Sequence, residues 1–316
     1  MAGGITRLAP SPTGALHLGN ARTFVVNALL AEQLGWTTRM RVEDLDGPRT
    51  KPGAAEAALD ELAWLGLSWQ GPVLWQSTRD GAYLAALKTL VDAGWAYPCT
   101  CSRKDVIEAA SAPHAEGHSP VYPGTCRGRY PSGQQAAEQA GRPPAWRLRV
   151  DEATVDFTDH VAGHQHIDLP GEVGDFVIYR NEGLASYQLA VTIDDAQAGI
   201  DRIVRGDDLL LSAGQQIHLR RLLGLAPEPE YWHLPLVVGP DGRRLAKRHG
   251  DTRLAFYRRA GATPQRLLGL LACWCGVTAT PRPMEWAELR ERFDPAAVPR
   301  EPIVFSETDH AYMLGD

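Results

Sequence analysis

The stretch Arg7–Asn20, RLAPSPTGALHLGN, follows a short apolar segment and leads into an amphipathic one. The apolar segment, Gly4–Ala9, is typical of a strand. In Ala21–Leu34 the apolar residues recur every three or four positions, as in a helix, until Gly35. A helix N-terminus offers backbone N–H groups and a partial positive charge, and both suit a phosphate. The stretch therefore predicts a phosphate-binding turn between a strand and a helix.

Four residues of this turn carry the predicted chemistry. Gly14 and Gly19 allow a nucleotide to approach the backbone closely. His17 and Asn20 are three residues apart, so they share one helix face, where both can donate to phosphate oxygens. The stretch taken alone is equally compatible with a capped helix that carries a surface histidine.

The rest of the chain extends this strand–helix alternation. A strand is predicted at Thr38–Val42, and helices at Ala54–Leu65 and Tyr83–Ala93. The alternation resumes with DFVIYR, SYQLAVTIDD and IDRIVRG, followed by a helix at Ser212–Leu223 and a strand at Trp232–Val238. Such alternation is typical of an α/β fold with a doubly wound parallel sheet.

The alternation is interrupted between Pro98 and Glu172, where Cys, Ser, His, Pro and Gly replace helical periodicity. This interruption indicates an inserted subdomain, and the end of the chain is predicted to be helical, including Gln265–Cys275. The expected organisation is a catalytic domain over 1–97 and 173–256, an insertion over 98–172, and a helical region over 257–316.

Composition excludes several classes of protein. The 316 residues are 44% hydrophobic and 22% charged, close to the average of folded proteins, which excludes a disordered chain. The net charge of −6 excludes an electrostatic, sequence-blind nucleic-acid binder. No apolar run approaches the roughly 18 residues that a membrane span needs, and the N-terminus lacks a secretory signal. A cytoplasmic protein without membrane partners is expected.

A second candidate phosphate site is the basic segment Gly242–Gly250, GRRLAKRHG, after a predicted strand. Because strand ends of a parallel sheet converge, this loop and the Arg7–Asn20 turn can reach one crevice. Lys247 would there stabilise negative charge on the α-phosphate as pyrophosphate leaves. The segment alone is also compatible with a solvated basic loop.

The cysteines indicate a metal site in the insertion. Cys99 and Cys101 form a CxC pair, and Cys126 follows in a YxxxC pattern that begins at Tyr122. This spacing suggests a tetrahedral structural zinc site, with three buried thiols as the alternative. Three sulfurs leave one coordination position of the metal unfilled, and His114 and His118 are chemically suitable ligands for it.

Two further patterns receive a structural interpretation. Cys273-Trp-Cys275 repeats the CxC spacing inside an apolar helix, where residues two apart point to different faces, so it is predicted to be core. His164-Gln-His166 could bind a metal, but no Cys or acidic partner is identified that completes such a site, so it is predicted to be a solvated strand.

Taken together, these motifs resemble those of class I aminoacyl-tRNA synthetases. HLGN is similar to their HIGH motif and RLAKR to their KMSKS motif. The lead-in RLAPSPTGALHLGN, the turn RVEDLDGPR and the segment ASYQLAVTIDD…IVRGDDLL resemble the glutamyl branch. The resemblance implies a Rossmann-like parallel sheet, ATP with Mg²⁺, and glutamate activated to glutamyl-adenylate. Arg244 replaces the first Lys of KMSKS and Ala246 its Ser, which puts the rate in doubt.

The resemblance also implies roles for individual residues. Arg7 and Arg205 would hold the carboxylates of glutamate, Glu43 its ammonium group, and Tyr187 would form a wall of the pocket. The full set expected to bind glutamate is Arg7, Leu8, Ala9, Pro10, Ser11, Glu43, Tyr187 and Arg205. The set expected to bind ATP is Thr13, Gly14, His17, Gly19, Asn20 and Lys247, of which His17, Asn20 and Lys247 are the expected catalytic residues. The family supplies a tyrosine as the fourth zinc ligand, which gives Cys99, Cys101, Tyr122 and Cys126.

Length separates the branches of this family. About 65 residues follow the basic loop, which leaves no room for the anticodon-binding domain of glutamyl-tRNA synthetases. The chain thus resembles the shorter glutamyl-queuosine branch, which transfers glutamate to the queuosine base in the anticodon of tRNA(Asp). A shortened enzyme that charges tRNA(Glu), or that serves a non-RNA acceptor, is the alternative, and a catalytically weak binding protein is a third. A monomer is expected.

The RNA would need a local basic surface on this acidic chain. Arginines in the insertion are candidates for it, and a solvated face is equally compatible with their pattern. They are Arg127, Arg129, Arg142, Arg147 and Arg149.

Overall fold

The computed structural model describes residues 3–45, 50–109, 121–151, 153–243, 245 and 250–315. The strands are β1 (Ile5–Leu8), β2 (Thr37–Val42), β3 (Leu74–Trp75), β4 (Ala96–Cys99), β5 (Ala145–Leu148), β6 (Thr154–Asp159), β7 (Gly163–Asp168), β8 (Phe176–Tyr179), β9 (Arg202–Gly206), β10 (Glu230–Leu234), β11 (Val237–Val238) and β12 (Ile303–Val304). The helices are α1 (Leu18–Leu34), α2 (Ala54–Trp64), α3 (Asp80–Asp92), α4 (Arg103–Ala109), α5 (Gly133–Ala140), α6 (Leu169–Glu172), α7 (Tyr187–Gln197), α8 (Leu210–Leu222), α9 (Leu254–Arg259), α10 (Pro264–Trp274), α11 (Trp286–Arg292) and α12 (Glu307–Leu314).

The predicted parallel sheet is present. Strands β1, β2 and β3 pair in parallel, and so do β9 and β10. The two sets meet where the Asp201 N–H donates to the Ile5 carbonyl at 3.0 Å. The carboxyl ends of β1, β2, β9 and β10 consequently lie along one edge, the place where open α/β sheets bind ligands.

Helix α1 is buried along much of its length. It begins at Leu18, three residues before the predicted start, because the His17 side chain caps it. It ends at Gly35, which takes the left-handed conformation (φ 67°) and donates its N–H to Ala31. Val25, Val26 and Leu29 have no exposed surface and belong to the larger hydrophobic core. Within the described ranges, no helix is both long and apolar enough to cross a membrane.

The predicted strand Trp232–Val238 is two strands. Strand β10 ends at Leu234, and β11 begins at Val237, after Pro235. Proline lacks the N–H that a continuous ladder requires, which is consistent with a break at this point. Strand β11 pairs in parallel with β12, a strand that the helical prediction for the end of the chain missed.

The segment between 98 and 172 contains two kinds of structure. Strand β5 lies between β4 and β8 in an antiparallel sheet. Strands β6 and β7 form a hairpin, and β6 continues the parallel sheet beside β10 through a pairing of Asp159 with Tyr231. The predicted domain boundaries stay a prediction, but this hairpin brings a part of the predicted insertion to the catalytic sheet.

Candidate functional site

A cleft of about 460 Å³ lies at the carboxyl ends of these strands. It brings together two sets of predicted residues that are far apart in sequence. The predicted residues that line it are Arg7, Ala9, Pro10, Ser11, Thr13, Gly14, His17, Gly19, Asn20, Glu43, Tyr187 and Arg205. Leu8, by contrast, points into the core with no exposed surface and does not line the cleft.

Two residues that line the cleft, Arg7 and Glu43, belong to a network of four charged side chains that extends behind its wall. Asp195 lies between two arginines: Arg7 Nε is 3.4 Å from its Oδ1, and Arg41 donates to the same oxygen. Arg41 also donates to Glu43 Oε1 at 2.9 Å. Two guanidinium and two carboxylate groups sum to zero charge, which reduces the cost of burying them.

The surrounding charges favour the ionised forms of Asp195 and Arg41. Burial opposes the charge of Asp195, but Arg41 and Arg7 outweigh it and hold the pKa of that carboxyl below its ordinary value. Burial also opposes the charge of Arg41, yet Asp195 and Glu43 raise its pKa above the ordinary value. Arg7 is the exception, because burial lowers its pKa despite Asp195. A carboxylate ligand in the cleft would stabilise the charge of Arg7.

The second arginine of the cleft, Arg205, is held by hydrogen bonds from three directions. Its Nε donates to His233 Nε2 at 3.0 Å, its Nη1 to Gln216 Oε1 at 2.8 Å, and its Nη2 to the Leu209 carbonyl at 3.3 Å. The residue is only 5% exposed. A guanidinium oriented in this way is suited to bind a carboxylate in a fixed direction.

Tyr187 and Glu43 form the more open side of the cleft. Tyr187 is the first residue of α7, after the cap residue Ser186, whose hydroxyl accepts from the Leu189 N–H. Its ring is exposed at the cleft. Glu43 follows β2 directly, and its N–H donates to Pro10 O at 3.0 Å, which ties together the loops after β1 and β2. A carboxylate here is suited to bind an ammonium group.

The start of α1 differs from the expectation of open N–H groups. The N–H groups of Gly19 and Asn20 donate to His17 Nδ1 at 3.1 and 3.4 Å, and the Leu18 N–H donates to Thr252 O at 3.0 Å. The amides of the first turn therefore have protein partners. Because Nδ1 accepts, the proton of a neutral His17 ring lies on Nε2, the atom that would donate to a phosphate in the predicted role.

The second predicted phosphate loop lies mostly outside the described residues. This applies to Lys247, Arg244 and Ala246, so their predicted roles stay predictions. Its described part includes Leu245, whose N–H donates to Val237 O at 3.4 Å. This bond places Leu245 beside β11, whose residue Val237 lines the cleft.

The three cysteines of the insertion lie together. Among the described residues, Cys99, Cys101 and Cys126 have sulfur atoms close enough to share one metal ion, all within 4.8 Å of one another. The Tyr122 oxygen lies 3.4 Å from Cys99 Sγ and 3.5 Å from Cys101 Sγ. A tetrahedral zinc site with bonds of about 2.3 Å to sulfur spaces its ligand atoms by about 3.8 Å, so the four atoms fit such a site. His114 and His118 lie outside the described residues.

The surroundings of this thiol cluster (Cys99, Cys101, Tyr122 and Cys126) favour negative charge. The Tyr122 oxygen accepts the Cys126 N–H at 2.9 Å. Arg147 lies over the Tyr122 ring, 3.8 Å from its centre, and donates to Cys99 Sγ at 3.3 Å. Burial still raises the pKa of Cys101, to about 11, and that of Tyr122 above its ordinary value. Three thiolates and a phenolate would therefore need a cation to be stable here.

Other sequence patterns have local structural roles. His166 Nδ1 lies 2.9 Å from Asp156 across the β6–β7 hairpin, and His164 Nε2 lies 3.5 Å from it. All three side chains are more than half exposed, as predicted, but the acidic partner was missed because the strands are paired ten residues apart. Cys275 is buried, as expected for core, whereas Cys273 is partly exposed.

Four of the five insertion arginines, Arg127, Arg129, Arg142 and Arg149, are exposed, and Arg147 is half-buried, so the basic surface for RNA stays a prediction. Arg127 is also paired with Asp151 and Asp175, and Arg147 donates to Cys99 Sγ. Sequence reasoning also missed the residues that hold the two cleft arginines, namely Arg41, Asp159, Asp195, Gln216 and His233. The sequence did contain one signal: two adjacent aspartates follow the apolar run LAVTI in α7, which indicates buried carboxylates that pair with cations.

Comparisons with known proteins agree with this geometry. The profile of the family described as "tRNA synthetases class I (E and Q), catalytic domain" matches residues 5–305. The glutamyl-Q tRNA(Asp) synthetase of Symbiobacterium thermophilum is 45% identical over 306 residues, which cover 94% of each chain. That of Nocardia farcinica is also 45% identical, over 96% of this chain and 94% of its own.

A solved structure shows the same fold. The glutamate tRNA ligase of Elizabethkingia meningosepticum, crystallised with its amino acid, superposes with a TM-score of 0.81 at 25% identity. The match covers 98% of this chain and 68% of that one. The chain therefore belongs to the glutamyl-Q tRNA(Asp) synthetases, a family of ligases within the class I tRNA synthetases (E and Q).

Proposed function

We propose that this chain activates L-glutamate with ATP and transfers the glutamyl group to the queuosine base in the anticodon of tRNA(Asp). The observation that carries the proposal is the cleft itself, in which two buried arginines and Glu43 surround a space at the strand ends. The names of relatives that align over almost the whole chain support the choice of acceptor.

The cleft suits glutamate better than glutamine. Glutamate offers a second carboxylate, and Arg7 and Arg205 each provide a guanidinium that can bind one. A neutral amide in the same place would leave a buried cation without a charged partner, which costs far more than a lost contact. Glu43 binds the α-ammonium group in this proposal and so fixes which end of the amino acid points to ATP.

Activation needs stabilisation of charge more than acid–base chemistry. The α-carboxylate of glutamate attacks the α-phosphorus of ATP, and pyrophosphate leaves. His17 Nε2 and Asn20 donate to phosphate oxygens, and Thr13, Gly14 and Gly19 line the nucleotide end of the cleft. Lys247 adds a positive charge at the α-phosphate. Mg²⁺, when bound with ATP, neutralises further phosphate charge.

A zinc ion in the thiol cluster would have a structural role. Cys99, Cys101, Cys126 and the Tyr122 oxygen would hold it, and the set leaves no position for a substrate. The cluster begins with Cys99 at the end of β4, where the chain enters the inserted subdomain, and β8 follows this subdomain. The ion would therefore stabilise the subdomain. The division into domains at 97, 172 and 256 belongs to the same proposal.

The activation step is tested by ATP–pyrophosphate exchange. We expect exchange that depends on L-glutamate, is at least about a hundredfold weaker with L-glutamine, and is lost in Lys247→Ala. A matched control is Lys88→Ala, a lysine on the surface of α3 that pairs with Asp92. Exchange without an amino acid, or equal exchange with glutamine, would contradict the proposal.

The acceptor is tested by transfer of labelled glutamate to two pools of tRNA, one that contains queuosine and one that lacks it. We expect label only in the first pool, on tRNA(Asp), and we expect it to resist removal of the tRNA 3′ end. Label in both pools, on tRNA(Glu), would instead support ordinary charging, the activity that the resemblance to a glutamate tRNA ligase favours as the second candidate.

A further inference from the structure

Three buried residues form a hydrogen-bonded chain that ends at the cleft. Arg205 Nε donates to His233 Nε2 at 3.0 Å, and His233 Nδ1 lies 2.7 Å from Asp159 Oδ2. The side chains of His233 and Asp159 have no exposed surface, and neither lines the cleft. Of the three, only Arg205 can therefore contact a substrate.

The chemistry of arginine decides where the histidine proton lies. A guanidinium N–H can only donate, so His233 Nε2 is the acceptor and the ring proton is on Nδ1, donated to Asp159. Burial lowers the pKa of His233, and the charge of Arg205 lowers it further against the effect of Asp159. The ring is thus neutral, with one defined tautomer.

Asp159 is itself fixed from the other side. Its Oδ1 accepts the backbone N–H groups of Val161 and Ala162 at 2.8 and 2.7 Å, in the turn of the β6–β7 hairpin. Burial opposes its charge, but the hydrogen bonds from His233 and from these amides hold its pKa below the ordinary value. The carboxylate cannot rotate without losing these bonds, so Oδ2 always faces His233.

We propose that Asp159 and His233 are positioning residues that hold Arg205 in the orientation that binds a carboxylate of glutamate. Three of the five guanidinium N–H groups have protein acceptors among the described residues, and Arg205 lines the cleft, so we assign the other two to the ligand. The hydrogen-bonded chain of Asp159, His233 and Arg205, called the relay below, sets the direction of these two N–H groups. It thereby sets the affinity for an acidic amino acid. The identity of the ligand rests on the proposed function, whereas the relay itself does not.

The variant Asp159→Asn tests the relay. Its amide oxygen can keep the Val161 and Ala162 amides, which places the NH₂ group against His233 Nδ1. The ring proton then moves to Nε2 and opposes the N–H of Arg205. We expect KM for glutamate in the exchange reaction to rise about tenfold to a hundredfold, with KM for ATP within about twofold of the wild type.

The matched control is Asp156→Asn, on the same strand but paired with the exposed His164 and His166. We expect its KM for glutamate to equal that of the wild type. An unchanged KM for glutamate in Asp159→Asn would overturn the positioning role. Equal rises in both KM values in Asp159→Asn would do the same, because they would indicate general damage to the fold.

A second measurement needs no substrate. The ¹⁵N shifts of the His233 ring report its tautomer, and we expect protonated Nδ1 and unprotonated Nε2 in the wild type and the reverse in Asp159→Asn. Protonated Nε2 in the wild type would overturn the relay. Absence of glutamate-dependent exchange in the wild type would instead overturn the proposed function, so the two failures are distinguishable.

Discussion

The charged network of the cleft and the thiol cluster are both buried groups of four side chains, but they differ in how their charge is balanced. The network of Arg7, Arg41, Asp195 and Glu43 contains its own counterions. The thiol cluster contains only acids, with Arg147 as a neighbouring cation. The first therefore balances its charge with protein groups, whereas the charged form of the second would need a bound cation to be stable.

The largest effect is expected from Asp195→Asn. This change leaves the guanidinium groups of Arg7 and Arg41 buried without their shared carboxylate, and breaking such a pair costs about 3–5 kcal/mol. Urea denaturation should show a loss of this size in the free energy of unfolding. A loss below about 1 kcal/mol would mean that solvent screens the network. Its stability would then not depend on its own buried counterions, in contradiction to the comparison with the thiol cluster.

Metal removal should have the next largest effect. We expect one zinc ion per chain by elemental analysis, and chelation to lower the free energy of unfolding by about 2.7 kcal/mol when free zinc had been at a hundred times Kd. Cys126→Ser should abolish zinc binding, whereas Cys273→Ser, which changes a cysteine outside the cluster, should not. A stable, zinc-free wild-type chain would show that the cluster is complete as buried thiols.

Asp175, which follows the predicted insertion and pairs with Arg127 in it, offers a smaller test. It accepts hydrogen bonds from Tyr97, from Val150 N–H and from Arg127, which is about one-third exposed. Asp175→Asn should therefore cost about 2 kcal/mol at pH 7, less than Asp195→Asn, because water screens Arg127.

The difference in stability between the wild type and Asp175→Asn depends on pH with a defined sign. Burial would raise the pKa of Asp175, but Arg127 and Tyr97 outweigh it and hold the pKa below the ordinary 3.8. The stabilisation is thus present above pH 3.8 and disappears as the pH falls through the lower, folded value. The gap between wild type and Asp175→Asn in thermal unfolding should close on acidification. A difference in stability that widens on acidification would contradict the lowered pKa of Asp175.

The smallest effect is expected at the surface. Lys88 and Asp92 form a pair on α3 with side chains 74% and 61% exposed. Lys88→Ala should change the free energy of unfolding by less than about 0.5 kcal/mol, and high salt should remove even this. A larger change would show that exposure is a poor guide to the strength of ion pairs in this chain.

The sequence predicts the parts of this molecule that depend on local patterns. Periodicity located α1 and the parallel strands, and the spacing of Cys99, Cys101 and Cys126 predicted that they would meet. The break at Pro235 was missed because apolar residues continue through it.

Contacts across the fold were not predictable from local patterns. Asp159 lies 74 residues before His233, and Asp195 lies 188 after Arg7, so no local pattern links either pair. The capping of α1 by His17 depends on the rotamer of one side chain, which composition and spacing do not specify.

The β6–β7 hairpin has a consequence for how this fold can be divided and recombined. It lies within the segment 98–172, yet it supplies the carboxylate behind Arg205. A chimaera that exchanged this whole segment with a relative would therefore exchange part of the support of the amino-acid pocket as well. An exchanged segment should therefore end between β5 and β6. Such an exchange would leave the pocket with its own β6–β7 hairpin.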